Sequence, residues 1–121
     1  MDFDPKRPIY DQLLSLFRRE ILSGRWPKGT QIPAVRSLAQ EYKVNANTVQ
    51  RALSELEREG LSFTQRTSGR FVTLDEKLLA KQRQSAIEEA FAAFLSDLED
   101  LQIPHSEALK ILTKELDGGS N

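Results

Sequence analysis

The chain of 121 residues contains no cysteine, which removes disulfides, thiolate nucleophiles and thiolate metal sites together. Histidine is almost as scarce. His105 stands alone, so neither a histidine metal site nor a histidine general base has partners to build on. Long hydrophobic runs are missing too: no stretch approaches the roughly 18 to 20 apolar residues of a membrane span. The opening MDFDPKRP is acidic and polar, where a signal peptide begins with a basic region and an apolar run. A phosphate-cradling glycine loop is also lacking. These gaps predict a cytoplasmic protein with no cofactor, no metal and no membrane attachment, and leave an enzyme without a nucleophile paired with a base.

What is present, 39% hydrophobic and 29% charged residues, is the composition of an ordinary globular protein. The length suits one core, or a domain of about 70 residues plus an appendage that needs a partner to bury its apolar face. The formal net charge of −1 conceals an asymmetry. Residues 1–74 carry twelve Lys and Arg against eight Asp and Glu, whereas residues 75–121 carry five against ten. The first part thus offers a basic surface to a polyanion, and the second has a different task.

Periodicity divides the chain further. From Pro8 to Ser23, Ile9, Leu13, Leu16, Phe17 and Ile21 recur every three or four residues, one apolar stripe on a helix that Gly24 ends. Pro27 and Gly29 mark a turn before a very short strand at Thr30-Gln31-Ile32. Val35, Leu38, Ala39 and Tyr42 predict a second helix of about ten residues. After the brief connection Lys43-Val44, Asn45 is a good N-cap for a third, with Val49, Ala52, Leu53 and Leu56 on its apolar side and Gly60 as its stop. Alternation in Leu61–Arg66 and Arg70–Leu74, with Gly69 between, predicts a β-hairpin. Beyond Asp75 comes a long helix with Leu79, Ile87, Phe91, Phe94, Leu95, Leu98 and Leu101. A break at Ile103–Ser106, a short helix to Leu116 and a frayed end at 118–121 follow.

The fold class so predicted is mainly α with a small β-hairpin wing: a winged helix-turn-helix in residues 1–74 and a two-helix element in 75–121. Such a third helix can lie in the DNA major groove with its N-terminal residues at base edges. Its outward side carries Asn47, Gln50, Arg51 and Ser54. Asn47 and Gln50 suit adenine, because an amide can accept from N6 and donate to N7, and Arg51 can reach guanine or phosphate. Thr48 and the free N–H groups near Asn45 and Ala46 suit phosphate. A rival module that binds protein would show apolar residues on this side, where the chain has amides and a cation. Trp26, beside Pro27, is expected to pack over the core, and His105 to start the last helix.

The stretch from Pro8 to Val72 resembles the DNA-binding domain of the GntR family of bacterial regulators. The resemblance rests on Pro8-Ile9-Tyr10 with Gln12, Ile21-Leu22-Ser23-Gly24, Pro33-Ala34-Val35-Arg36-Ser37-Leu38-Ala39, Asn45–Leu53 and Glu57-Arg58-Glu59-Gly60-Leu61, in the family's order and spacing. The short tail and the wording around Val44–Arg51 resemble the YtrA subfamily, whose members dimerise through a compact helical element. The resemblance implies that Arg36 contacts DNA and supports Asn45, Asn47, Thr48 and Gln50 as contacts. It also departs from the family at the wing, where Gly-x-Gly-Thr-Phe-Val is replaced by Thr67-Ser68-Gly69-Arg70-Phe71-Val72. Arg66 and Arg70 remain available for phosphate or a narrow minor groove.

Ile87, Phe91, Phe94, Leu95 and Leu98 form a stripe that a two-helix tail is too small to bury alone, so a twin chain is the expected cover. The expectation is therefore a homodimeric regulator, a repressor in preference to an activator, on an inverted-repeat operator. Such a tail cannot enclose the roughly 300 Å³ of a ligand pocket, which leaves room for a small-molecule effector of unknown chemistry only between protomers.

Overall fold

The computed structural model describes residues 3–119. Five helices and one hairpin follow in the order α1 (Ile9–Leu22), α2 (Val35–Tyr42), α3 (Ala46–Arg58), β1 (Ser62–Gln65), β2 (Gly69–Val72), α4 (Glu76–Asp100) and α5 (His105–Gly119). The mainly helical class with a hairpin wing is therefore the observed one. The chain forms two compact units that divide at Gln82 and Arg83, inside α4.

In the first unit α1 packs against α3. Pro8 sets the start of α1, where a missing N–H costs nothing. Leu13 and Phe17 on α1 are fully buried, as are Val49, Ala52 and Leu56 on α3. Leu38 of α2, Leu61 and Val72 close the same core. Phe17 is its aromatic hub: the Trp26 ring stacks on it at 5.4 Å and the Tyr42 ring meets it edge-on at 6.2 Å. Trp26 thus packs over the core as expected. At the far end of α3, the Arg18 guanidinium forks onto the Glu59 carboxylate, with Nε donating to Oε1 at 2.8 Å, and ties α1 to the helix stop.

The hairpin pairs Ser62 with Val72, Phe63 with Phe71, Thr64 with Arg70 and Gln65 with Gly69. The cross-strand rings of Phe63 and Phe71 stack at 5.8 Å. Residues 29–32 lie along the outer edge of β2. Ile32 donates to the Arg70 carbonyl at 2.9 Å and Val72 to the Thr30 carbonyl at 2.9 Å, and a bridge joins Gln31 to Phe71. The short strand expected at Thr30–Ile32 is this bridge.

Two expectations shift. Residues 1–74 were expected as the first domain, but the core reaches past that point: Leu79, in the first turns of α4, is 4% exposed, and Leu78 packs beside it. Asp75 caps α4 by accepting from the Leu78 N–H at 3.0 Å. A cut at Leu74 would strip this cover, which a sequence boundary placed at the hairpin's end does not register. At the other end, α5 runs helical through Gly119, three residues past Leu116, while Ser120 and Asn121 of the expected frayed end lie outside the described residues.

In the second unit α4 ends at a turn in which Gln102 takes a left-handed φ of 58° and Ile103 donates to the Leu98 carbonyl at 2.9 Å. His105 then opens α5, with Nε2 at 3.7 Å from Glu99 Oε1. Leu98 and Ala108 are buried, but Ile87, Phe91, Phe94, Leu109, Ile111 and Leu116 are all exposed. Among the described residues no helix is long and apolar enough to cross a membrane, and no cluster of His, Asp and Glu is placed to hold a metal ion.

Because Phe17 is fully buried and supports two rings, Phe17→Ala should cost about 3 to 5 kcal/mol of unfolding free energy. Urea denaturation followed by helical circular dichroism measures it; a loss under about 1 kcal/mol would mean that the hub collapses without a cavity.

Candidate nucleic-acid interface

The surface assembles from three elements: the start of α2, the first turns of α3 and the hairpin. Between α2 and α3 the chain turns on Lys43, whose left-handed backbone (φ 55°, ψ 49°) lets Val44 donate to the Ala39 carbonyl at 3.0 Å. Asn45 then caps α3, its Oδ1 accepting from the Asn47 N–H at 2.7 Å. No acidic residue occupies the first turn of α3, so the positive end of its dipole stays uncompensated. Arg36 is exposed in the first turn of α2. Between it and α3 lies a shallow depression of about 530 Å³, lined by Val35, Arg36, Ala39, Gln40, Val44 and Ala46. Asn45, Ala46, Asn47 and Gln50 are exposed and Thr48 is half-buried.

With the four core positions of α3 turned inward, its outward side is fixed. At 100° per residue, Asn47 and Ser54 lie on one line, with Gln50 to one side and Arg51 to the other. The structure separates the latter two accordingly. Arg51 lies over the Tyr10 ring of α1, 4.5 Å from its centroid, where a cation–π contact holds it. Gln50 faces the hairpin, where its Oε1 accepts from Arg70 Nη1 at 3.3 Å. Arg70 Nη2 donates to Ser54 Oγ at 3.4 Å, and Arg70 Nε is buried without an acceptor. Arg70 is therefore folded back onto α3, while Arg66 stands exposed at the turn.

The wing keeps its turn although Thr67 stands where a glycine was expected. Ser68 donates to the Gln65 carbonyl at 3.2 Å, and Gly69, with a φ of +107°, supplies the left-handed backbone. Gln31 completes it from outside by donating Nε2 to the Ser68 carbonyl at 2.5 Å. A Cβ on Gly69 would come within 2.9 Å of that same nitrogen. Thr64 adds a further tie, donating to the Glu57 carboxylate on α3. Neither Gln31 nor the Thr64–Glu57 pair had a signal in the sequence, because each joins elements through a side chain of no fixed spacing.

The sequence that builds this arrangement, a capped helix with an amide-bearing outer side beside an exposed arginine and a braced hairpin, is matched by a family model. Residues 9–72 fit the model described as bacterial regulatory proteins, gntR family. The chain belongs to the gntR family. It is a DNA-binding transcriptional regulator and not an enzyme. Among relatives, it is 31% identical to the HTH-type transcriptional repressor YtrA of Bacillus subtilis (strain 168), over 98% of this chain and 96% of that one. A solved GntR family transcriptional regulator from Listeria monocytogenes is 29% identical with a TM-score of 0.86, over 93% of this chain and 98% of that one. The DNA-binding domain of AraR, solved in complex with operator ORX1, is 25% identical with a TM-score of 0.55, over 60% of this chain and 93% of that one.

In this gntR domain Asn45, expected from the sequence to contact DNA, is the cap of α3, and the capping role can be measured by itself. Asn45→Ala should lower stability by about 1 kcal/mol, whereas Asn45→Asp keeps an acceptor for the Asn47 N–H and should hold the parental stability. Denaturation midpoints of the two variants check this; an Asn45→Ala midpoint equal to the parent's would mean that the cap contributes nothing.

Proposed function

We propose that the protein is a homodimeric repressor that sets two α3 helices into successive major-groove segments of an inverted-repeat operator and occludes a promoter. The observation that carries this reading is the outward line of α3: Asn47, Gln50 and Ser54 are exposed while the opposite side is buried. Hydrogen-bonding amides on the exposed side of a rigid helix are the groups that read base edges. Arg36 stands beside them as a further base or phosphate contact. Asn45, Ala46 and Thr48 anchor phosphate at the helix start. Arg66 reaches phosphate or the minor groove from the wing. Arg51 is the weakest of the expected readers, because its cation is already seated on Tyr10. The similar AraR domain is known bound to an operator, and the similar YtrA is named a repressor.

The tail supports the dimer. Ile87 is 46%, Phe91 52%, Phe94 40% and Leu95 38% exposed. Rings and aliphatic groups left this open on a small helical unit call for a cover, and a self-complementary surface supplies it through a two-fold axis. Leu98 is not part of that open stripe, being buried already, and Leu109, Ile111 and Leu116 on α5 are exposed as well. Between α4 and α5 runs an apolar groove of about 240 Å³ lined by Ile87, Ala90, Phe91, Phe94 and Leu112. That is below the roughly 300 Å³ of a typical ligand pocket, so side chains of a second protomer fit it better than an effector does. The acidic balance of residues 75–121 keeps the tail off the phosphate backbone.

Two measurements test the reading. Selection of bound sequences from random duplex DNA should return a palindrome, and Arg36→Ala should weaken binding to it by about 1 to 3 kcal/mol in gel-shift titration. Unchanged affinity would remove Arg36 from the site. Phe91→Glu in the full chain should give a monomer by light scattering and cost about 10² to 10⁴-fold in affinity for the full operator, while half-site affinity stays put. A variant that remains dimeric would move the seam elsewhere.

A further inference from the structure

We infer that Arg70 and Gln50 act as a single reader for a G·C pair, with Arg70 deciding which end of the Gln50 amide meets the base. The inference rests on the reading of α3 as the DNA-recognition helix. Taken alone, a glutamine in the major groove suits adenine, because its Oε1 accepts from N6 while its Nε2 donates to N7. That pairing needs both ends of the amide. In this structure Oε1 is engaged: it accepts from Arg70 Nη1 at 3.3 Å. A guanidinium has donors and no acceptor, so the oxygen is the only end of the amide that can face it. The second Arg70 bond, from Nη2 to Ser54 Oγ at 3.4 Å, makes the contact a fork across one turn of α3 and fixes its direction.

The consequences for a base edge are chemical. Oε1 gives one of its two lone pairs to Arg70, Gln50 retains its two Nε2 hydrogens, and a permanent cation lies against it. Both ask for acceptors. Guanine offers two in the major groove, O6 and N7, whereas adenine brings the N6 amino donor next to a positive charge. Arg70 is distinguished from a wing-tip phosphate anchor by its placement: it is half-buried, its Nε is enclosed, and it reaches α3, while Arg66 occupies the open turn. It is thus a positioning residue for Gln50 whose remaining Nη hydrogens add to the same preference.

The test is sequence selection with the full-length chain and three variants. Gln50→Ala identifies the operator position that Gln50 reads, as the one whose preference is lost. At that position the parent should select a G·C pair. Arg70→Met, which keeps the stem and removes every donor, should shift that position toward A·T and lower affinity for the parental operator about tenfold, leaving other positions unchanged. Thermal unfolding of Arg70→Met without DNA should match the parent, since its two bonds are long and the hairpin keeps its ties through Gln31 and Thr64. If that variant melts early, Ser54→Ala, which cuts only the second arm of the fork, should still weaken the G·C preference at the same position. A parental consensus with A·T there overturns the inference. So does an Arg70→Met chain that loses affinity evenly for all sequences, which is the mark of a phosphate anchor. Parent protein that selects no consensus at all overturns the DNA-recognition reading along with it, whereas a palindrome with an unchanged Gln50 position overturns this inference alone.

Discussion

The rotational phase of α3 is the constraint on which the rest of the site depends. Val49, Ala52, Leu53 and Leu56 are each no more than 1% exposed, and burial of four side chains on one stripe leaves the helix no freedom to turn about its axis. Removing a buried leucine from such a stripe costs about 2 to 5 kcal/mol, far more than any one surface contact contributes, so the core dictates what faces outward. The ends are pinned independently. Asn45 fixes where the helix begins and the Arg18–Glu59 fork fixes where it stops against α1. Asn47, Gln50 and Ser54 are consequently held in one orientation before any ligand arrives. Positioning of this kind leaves no backbone of α3 to be ordered on binding, as a mobile loop would need.

The elements were legible in the sequence because each is driven by a period. Apolar residues at three- and four-residue steps predicted α1, α2, α3 and the long α4, and alternation around Gly69 predicted the hairpin, with boundaries close to those observed. The candidate surface was legible only as far as a helix can be read by itself. Asn47 and Gln50 lie outward as expected, since the buried stripe determines them. Arg51 and Arg70 could not be placed, because their destinations belong to other elements: Tyr10 lies 41 residues away from Arg51, and Gln50 lies 20 from Arg70. A long cationic side chain goes to whatever ring or carboxamide the fold brings within reach, and sequence spacing does not encode that. The first unit's extension to Gln82 was hidden for a similar reason, since Leu79 continues the α4 pattern and shows its allegiance to the α1–α3 core only in three dimensions.

The tail divides differently. Leu98 looked like one more member of the exposed stripe because the stripe's spacing includes it, yet it is buried where α4 meets the turn, its carbonyl held by Ile103. Periodicity predicts which residues share a side of a helix and is silent about how far along that side a neighbour extends. The neighbour here is short. The groove that Ile87, Ala90, Phe91 and Phe94 form is closed on the α5 side by Leu112, and most of the large apolar groups of both helices stay open to solvent. Two helices of this size bury too little surface to account for so many rings and leucines, which is the physical argument for a second chain.

The wing shows how a fold can retain geometry after losing the residue that ordinarily supplies it. Thr67 cannot take left-handed backbone as readily as glycine; Gly69 supplies it, and a side chain from outside the hairpin braces the turn. Gln31 can serve because residues 29–32 already run along β2, held by the Ile32 and Val72 hydrogen bonds, which delivers its amide to the Ser68 carbonyl without further ordering. On the other side Thr64 and Arg70, partners in the strand register, both reach α3, to Glu57 and to Gln50 and Ser54. The hairpin is thus held from its outer edge and from the helix at once. A two-stranded hairpin is marginal in water by itself, and these ties make its position follow that of α3. Displacing one therefore disturbs the other, so the wing and the outer side of α3 behave as one body.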